Sequence, residues 1–251
     1  HVVGRGAMGE VYAARVEPGG ERAAVKLLRF GGLEESELVQ RFLREGDIAL
    51  RVRAPNLVRV LEVGRTDEGA PFLAMELLEG TDLGALLRER VALRLEEVVT
   101  LVEDACRGLS ALHEAGVVHR DLKPQNLFLS VHPPSWKILD YGVSKLRDGS
   151  GTLTEGQLVG TPTYMAPEQA QARAVDPRAD LFALGAVAYR ALTGRRPFSG
   201  PDTPQILDQV VFGAPVRPRD LVPELPRDVE LALALALAKE PEERFASAAD
   251  M

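Results

Sequence analysis

The spacing of hydrophobic and polar positions divides the chain into a first third that favours strands and a longer remainder that favours helices. In the first third, short runs rich in β-branched and aromatic residues are separated by turn signals at 18–20 (PGG) and 67–69 (DEG). The pattern predicts strands over 2–3, 10–16, 23–28, 57–63 and 71–77.

One segment of the first third and most of the remainder have helical periodicity. Phe42 and Leu43 belong to an amphipathic pattern over 34–52, which Gly46 weakens near its middle. Further helices are predicted over 82–90, 95–115, 180–193, 201–211 and 225–238, with irregular loops over 117–168 and another helix starting at 246. Because the strand-rich part precedes the helix-rich part, we predict an α+β fold with two lobes.

Composition narrows the class of protein. The 251 residues can bury a sizeable core, and a net charge of -7 argues against a nucleic-acid-binding surface. The single cysteine, Cys106, excludes an intrachain disulfide and fits a reducing compartment, so we expect a cytoplasmic segment. No apolar run reaches about eighteen residues, so we expect no membrane contact within this segment. Both ends resemble cut points in a longer protein, which could be membrane-anchored elsewhere.

Glycines are spaced along 4–11 as G-x-G-x-x-G-x-V, followed by β-type residues. Glycine lets backbone N–H groups approach phosphate oxygens closely. A dinucleotide-binding fold would place such a turn before a helix, which the residues here do not favour. Taken alone, the pattern fits a plain glycine-rich hairpin about as well.

The run HRDLKPQN at 119–126, followed by DYG at 140–142, carries the most specific chemistry. Phosphoryl transfer needs a carboxylate to orient a hydroxyl, a cation on the moving phosphate and oxygen ligands for magnesium. These groups stand in the order and spacing of a protein kinase catalytic loop and metal-binding turn: Asp121, Lys123, Asn126 and Asp140. Upstream, Lys26 lies on an apolar strand and needs a partner, which we predict to be Glu45. The alternative for Glu45 is a solvated helix face.

Together these motifs resemble the eukaryotic-like Ser/Thr protein kinases, and the bacterial receptor-type branch in particular. The resemblance extends through GTPTYMAPE at 160–168 and DLFALG at 180–185 to KEPEERF at 239–245. It implies a protein-kinase-like fold, with a small strand-rich N-lobe carrying one key helix over 1–76 and a larger helical C-lobe over 77–251. It also implies ATP and Mg²⁺ as cofactors.

The resemblance assigns roles to single residues. Asp121 would orient the substrate hydroxyl, Lys123 would bind the γ-phosphate, and Lys26, held by Glu45, would bind the α- and β-phosphates. The implied metal ligands are Asn126 and Asp140. The implied nucleotide-binding residues are Gly4, Arg5, Gly6, Ala7, Met8, Gly9, Val11, Ala24, Lys26, Met75, Glu76, Leu78, Asp82 and Phe128.

Two details extend the resemblance beyond the site. Tyr141 replaces the usual Phe after the metal-binding Asp, and its hydroxyl will need a partner if it is buried. Glu168 and Arg244 are similar to the buried ion pair of the family's helical lobe.

Three functions are weighed. The first is a Ser/Thr protein kinase in bacterial signalling, acting on Ser/Thr of protein substrates; Lys123 and Thr161 favour it over a tyrosine kinase. The second is a pseudokinase acting as a nucleotide-binding interaction module. A pseudokinase is expected to lack at least one of four residues, but all four are present: Lys26, Asp121, Asn126 and Asp140. The third is a small-molecule kinase of the aminoglycoside type, against which Arg120 and the Ala-Pro-Glu segment count.

Regulation is expected in the loop over 142–168. A phosphate there can order a loop through arginine contacts, and Arg120 is the expected contact. We predict self-phosphorylation in trans at Thr152 and Thr154. Glu155 is an alternative source of negative charge that would make phosphorylation dispensable.

Overall fold

A computed structural model of the chain describes residues 1–6, 9–28, 35–141 and 162–251, without the side chains of 5, 6, 35–38, 41, 44 and 45. Its first elements form a strand-rich unit with one helix. They are β1 (Val2–Gly6), β2 (Gly9–Arg15), β3 (Arg22–Leu28), α1 (Glu35–Arg51), β4 (Val60–Arg65) and β5 (Pro71–Glu76). The strands make one antiparallel sheet in the order β1-β2-β3-β5-β4.

Helix α1 packs against β4 and β5. Gly46, which the sequence indicated as a weak point, lies inside an unbroken helix. A Cβ on Gly46 would be 2.5 Å from Cγ1 of Val63, so the missing side chain allows α1 to approach the sheet closely.

The remainder is mainly helical. Its elements are β6 (Gly80–Asp82), α2 (Leu83–Arg90), α3 (Leu95–Glu114), β7 (Leu127–Val131), β8 (Pro134–Ile138), α4 (Pro167–Ala170), α5 (Arg178–Thr193), α6 (Thr203–Phe212), α7 (Pro218–Leu221) and α8 (Arg227–Ala236). Helix α5 is buried along nearly its whole length, and α3 and α8 pack on it. Its apolar residues on all sides explain why it lies at the centre of the core. No helix in the described ranges is long and apolar enough to cross a membrane.

Two sequence predictions were wrong in detail. The predicted loop over 117–168 contains strands β7 and β8, which form a small antiparallel sheet with β6. The helix predicted from residue 246 is a set of turns, in which the hydroxyl of Ser247 donates to Oδ2 of Asp250 at 2.6 Å. Such local side-chain bonds compete with helix formation. The division into strand-rich and helix-rich parts confirms the predicted α+β class.

Candidate active site

The loop that carries Asp121 is fixed by a buried carboxylate from helix α5. Asp180 Oδ2 accepts a hydrogen bond from the backbone N–H of His119 at 2.8 Å, and Oδ1 accepts one from the N–H of Arg120 at 2.8 Å. Nε2 of His113 lies 2.9 Å from Oδ2. Arg120 has a positive φ of 64°, a conformation that costs free energy and needs such support. On the other side, Gln169 Nε2 donates to the Arg120 carbonyl at 2.9 Å.

The polar side chains of the loop then converge. Lys123 Nζ lies 2.7 Å from Asp121 Oδ2, and Asn126 Nδ2 donates to the Asp121 carbonyl at 2.8 Å. A short 3₁₀ turn over Pro124–Asn126 brings the Asn126 side-chain amide back to the Asp121 carbonyl. The two predicted catalytic groups of the loop and one predicted metal ligand are therefore neighbours.

Asp140 follows β8, and the residue before it is hydrogen-bonded to the catalytic loop. The Leu139 N–H donates to the Asn126 carbonyl at 2.8 Å, and the Leu139 carbonyl lies 2.9 Å from Nε2 of His119. His119 is completely buried. Both hydrogen-bonding groups of the residue before Asp140 are thus held by the catalytic loop.

Lys26 joins the strand-rich unit to this cluster. Its Nζ donates to Asp140 Oδ1 at 2.7 Å. The partner predicted from the sequence was Glu45; this residue lies in α1, but its side chain is outside the described part of the structure. The contact with Asp140 places the predicted phosphate-binding lysine beside a predicted metal ligand, although the two are far apart in sequence.

The arrangement fits magnesium, which prefers hard oxygen ligands and keeps several of its waters. Because Asn126 Nδ2 donates to Asp121, the amide oxygen of Asn126 is the atom that faces a metal. The carboxylate of Asp140 supplies the second oxygen donor. In the described residues there is no group of three His, Cys, Asp or Glu side chains suited to a metal. The two oxygen donors fit an ion that takes its other ligands from phosphate groups and water.

Four apolar residues among the implied nucleotide-binding residues come from both sheets. Val11 on β2 pairs with Lys26, and Ala24 on β3 pairs with Met75 on β5. On the other side, Phe128 on β7 is the cross-strand partner of Asp82.

Asp82 also caps helix α2. Its Oδ1 accepts a hydrogen bond from the N–H of Ala85 at 2.9 Å, which satisfies a free amide of the first turn. A sugar hydroxyl in contact with this carboxylate would share it with the helix cap.

Glu76 and Leu78, two of the implied nucleotide-binding residues, lie at the end of β5 and just after it. The Glu76 N–H donates to the Arg59 carbonyl at 2.9 Å, so this N–H already has a partner within the protein. The Glu76 carboxylate accepts from Lys137 Nζ at 2.7 Å and from the Arg59 N–H at 2.9 Å. Leu78 follows and packs, partly buried, against the core.

The glycine turn is described only in part. Strands β1 and β2 extend into the predicted turn, so that Gly4 pairs with Val11 and Gly6 pairs with Gly9. A Cβ on Gly9, whose φ is 153°, would collide with the carbonyl oxygen of Leu27. Ala7, Met8 and the Arg5 side chain lie outside the described residues.

The predicted Glu168–Arg244 ion pair is confirmed. Arg244 Nη1 and Nη2 donate to the two carboxylate oxygens of Glu168 at 2.7 and 2.8 Å, and both side chains are buried. Nε and Nη2 also donate to the carbonyls of Ala238 and Lys239, each at 2.8 Å. The pair joins α4 to the chain beyond α8.

Sequence reasoning assigned no role to Asp180 or Gln169, which hold the backbone of the catalytic loop. The available signal for Asp180 was a carboxylate in the first turn of an otherwise apolar helix, because a buried charge needs partners. The predicted phosphorylation sites Thr152 and Thr154, like Glu155, Thr161 and Gly142, lie outside the described residues.

Comparison with known proteins supports one family. The family profile described as "Protein kinase domain" matches residues 1–249. The chain is 41% identical over 251 residues to serine/threonine-protein kinase Pkn1 of Myxococcus xanthus, and 36% identical over 256 residues to pkn3 of the same organism. It is 32% identical over 255 residues to PknB of Mycobacterium tuberculosis.

These matches cover 98%, 98% and 100% of this chain but 36%, 47% and 41% of the relatives, so the chain spans less than half of their length. Among solved structures, the PknI kinase domain of Mycobacterium tuberculosis matches with a TM-score of 0.78 and 27% identity, covering 99% of this chain and 90% of that one. This likeness confirms the predicted fold class.

Proposed function

The chain belongs to the protein kinase family, and we propose that it transfers the γ-phosphate of ATP to serine and threonine hydroxyl groups of proteins. The observation that carries the proposal is the convergence of Lys26, Asp121, Lys123, Asn126 and Asp140 at one end of the catalytic loop. All the groups that phosphoryl transfer needs are present within this cluster.

The roles follow from the chemistry of each group. The Asp121 carboxylate accepts the hydrogen bond of the substrate hydroxyl, orients its oxygen and takes its proton. Lys123, whose Nζ contacts Asp121, would bind the γ-phosphate, and Lys26, whose Nζ contacts Asp140, would bind the α- and β-phosphates. Glu45 would hold Lys26 there. Mg²⁺ between Asn126 and Asp140 would neutralise phosphate charge.

The nucleotide lies between the two sheets in this proposal. The glycine turn at 4–9 covers the phosphates with backbone N–H groups. The base packs between apolar side chains from both sheets and reaches backbone groups after β5, and Asp82 binds the ribose. The base-contacting residues proposed are Val11, Ala24, Met75, Glu76, Leu78 and Phe128.

Asp121→Asn tests the proposal. We expect kcat to fall about 10³-fold, in the range of general acid–base catalysis, while the affinity for Mg-ADP changes little because Asp121 acts mainly in the transition state. The measurement is transfer of labelled phosphate to a generic protein substrate, with calorimetry for binding.

Asp202→Asn is the matched control, because Asp202 caps helix α6 and contacts none of the cluster. Equal rates for the wild type and Asp121→Asn would contradict the proposal. Nucleotide binding without any transfer by the wild type would favour the pseudokinase alternative.

We also propose that the kinase phosphorylates itself in trans at Thr152 and Thr154 and that this raises its activity. Arg120, next to the catalytic Asp121, supplies the guanidinium that would bind the phosphate. Mass spectrometry after incubation with Mg-ATP identifies the sites. An unchanged rate for the Thr152→Ala/Thr154→Ala variant would contradict the switch.

The extent and location of this unit are part of the same proposal. We propose that 1–76 forms the N-lobe and 77–251 the C-lobe of one kinase domain. Its one cysteine, Cys106, is buried, and burial raises the pKa of its thiol to about 11, which keeps it unreactive. This agrees with a signalling domain that works in the cytoplasm, where ATP is available.

A further inference from the structure

We propose that Tyr141 is a positioning residue for the metal-binding carboxylate of Asp140. This inference rests on the proposed function, because it concerns the carboxylate that would bind Mg²⁺. Tyr141 is 3% exposed, and its hydroxyl donates to the Val58 carbonyl at 2.6 Å. Val58 belongs to residues 56–58, the anchor segment, which lies between α1 and β4.

The anchor segment is hydrogen-bonded to the strand that leads into Asp140. The Val58 N–H donates to the Ile138 carbonyl at 3.0 Å, and the Ile138 N–H donates to the Asn56 carbonyl at 2.8 Å. Tyr141 contacts the same segment from the residue after Asp140. The chain is therefore attached to one rigid support on both sides of the carboxylate.

This double attachment matters because the backbone of Asp140 is strained. Its φ is 56°, in the left-handed region, where a residue with a side chain stays only when its surroundings hold it. Before Asp140, both backbone groups of Leu139 are bonded to the catalytic loop. After Asp140, the described residues show two restraints, the packing of the Tyr141 ring and the hydrogen bond of its hydroxyl.

The hydroxyl and the ring have separable tasks. The ring fills space in the core, which a phenylalanine would fill equally well. The hydroxyl makes a directional hydrogen bond to the Val58 carbonyl in a buried site. Removing the hydroxyl takes this donor away from the carbonyl, which costs free energy where water cannot replace it. Orientation of Asp140 thus depends on an atom that phenylalanine lacks.

Tyr141→Phe tests this inference, with Tyr189→Phe as the matched control. Tyr189 is 1% exposed, and its hydroxyl donates to the Val216 carbonyl at 2.8 Å, away from the cluster. Each variant loses one buried hydroxyl that bonds a backbone carbonyl. We expect both to lower the thermal midpoint by a similar amount, about 2–6 °C.

The informative measurement is the affinity for ADP by calorimetry, with saturating Mg²⁺ and with EDTA. We expect Tyr141→Phe to reduce the Mg²⁺-dependent gain in ADP affinity about fivefold and to leave the affinity in EDTA unchanged. Tyr189→Phe should leave both affinities unchanged. Such a result assigns the hydroxyl to the metal-binding group rather than to stability alone.

Other results overturn the inference. If Tyr141→Phe keeps the full Mg²⁺-dependent gain, the hydroxyl is only structural. If both affinities fall together, or if the wild type shows no Mg²⁺-dependent gain, Tyr141 does not position a metal ligand. A selective loss in Tyr141→Phe, together with a wild type that transfers no phosphate, would support the inference and contradict the proposed function.

Discussion

The active-site cluster consists of Lys26, Asp121, Lys123, Asn126 and Asp140. Its ion pairs and the Glu168–Arg244 pair have similar contact distances but different energetic consequences. In both, a cation lies 2.7 Å from a carboxylate oxygen. The side chains of Glu168 and Arg244 are 4% and 0% exposed, whereas those of Asp140 and Asp121 are 37% and 31% exposed. Water competes for the carboxylates of the cluster and weakens those ion pairs, while the buried pair has no such competitor.

The difference teaches what each pair does. Breaking the buried pair leaves a buried charge without a counter-charge, so the pair holds two backbone segments in fixed positions. In the cluster, Lys26 pairs with Asp140 and Lys123 pairs with Asp121. A bound phosphate would attract the lysines and a bound metal the carboxylates, so ligands would separate these pairs. We therefore expect Lys26 and Lys123 to exchange a carboxylate for a phosphate at low cost. Distance alone does not distinguish a structural pair from an exchangeable one; exposure does.

Glu168→Gln should have the largest effect on stability. The substitution keeps the shape of the side chain but leaves the Arg244 guanidinium buried without a counter-charge, which typically costs about 3–5 kcal/mol. Urea unfolding followed by circular dichroism measures the loss. Glu103→Gln is the matched control: Glu103 pairs with Arg107 at 3.3 Å and is 58% exposed, so we expect a loss below about 1 kcal/mol. Equal losses would refute the distinction by exposure.

Asp180→Asn should have the next largest effect, and it should act on catalysis. An asparagine offers one acceptor where the His119 and Arg120 amides now have two, and its own N–H₂ faces one of those donors. The catalytic loop would shift, and a displacement of about 1 Å can lower kcat about 10²-fold.

Phosphate transfer under saturating ATP measures the effect of Asp180→Asn, with Asp202→Asn as the control for an exposed cap. A drop in stability with an unchanged kcat would show that Asp180 supports the fold but not the position of the loop.

These buried supports were the part of the site that the sequence did not reveal. Motif residues could be predicted because Asp121, Lys123 and Asn126 lie within one short run whose chemistry is restrictive. Asp180, in contrast, meets the amides of His119 and Arg120 across separations of 61 and 60 residues. Backbone amides have no signature in the sequence, so only the fold identifies such a support.

The fold was predicted unevenly for a similar reason. Helices α3 and α5 were placed to within one or two residues, because they are long and end at Gly116 and Gly194. Strands β7 and β8 have five residues each and meet at a proline-containing turn, so their periodicity is weak. The contact of Lys26 with Asp140 spans 114 residues and joins the two sheets, which no local pattern indicates.

Lys26→Met should leave stability nearly unchanged, within about 1 kcal/mol, because the partly exposed pair with Asp140 contributes little. Its effect should fall on kcat/KM instead. If Glu45 holds Lys26 in the working enzyme, the double variant with Glu45→Gln should lose less than the sum of the single losses, by about 0.5–3 kcal/mol. Additive losses would argue against that pair, and a large fall in stability would argue against exchangeable pairs in the cluster.

The smallest expected effect is a pH dependence of stability. It arises at Lys239, whose carbonyl accepts a hydrogen bond from Arg244 of the buried pair. Its Nζ donates to the Val210 carbonyl at 2.6 Å and lies 3.9 Å from the ring centre of Phe198. Burial, with a smaller contribution from Arg244, lowers the pKa of Lys239 to about 8 from its usual 10.5. Between these two values the unfolded chain keeps a proton that the folded chain releases, so stability rises with pH across that window. Below a pH of about 8 both states are protonated and this contribution is constant.

Lys239→Met isolates that contribution, because methionine keeps much of the apolar stem and cannot titrate. The free energy of unfolding should differ from the wild type by a constant amount between about pH 6.5 and 7.5, and the difference should shift in favour of the wild type from about pH 8.5 to 10. Urea unfolding across this range measures both parts. A difference that stays constant through pH 10 would mean that Lys239 keeps its proton in the folded state. The carbonyls and the Phe198 ring would then outweigh burial, and this lysine would behave like a group in contact with water.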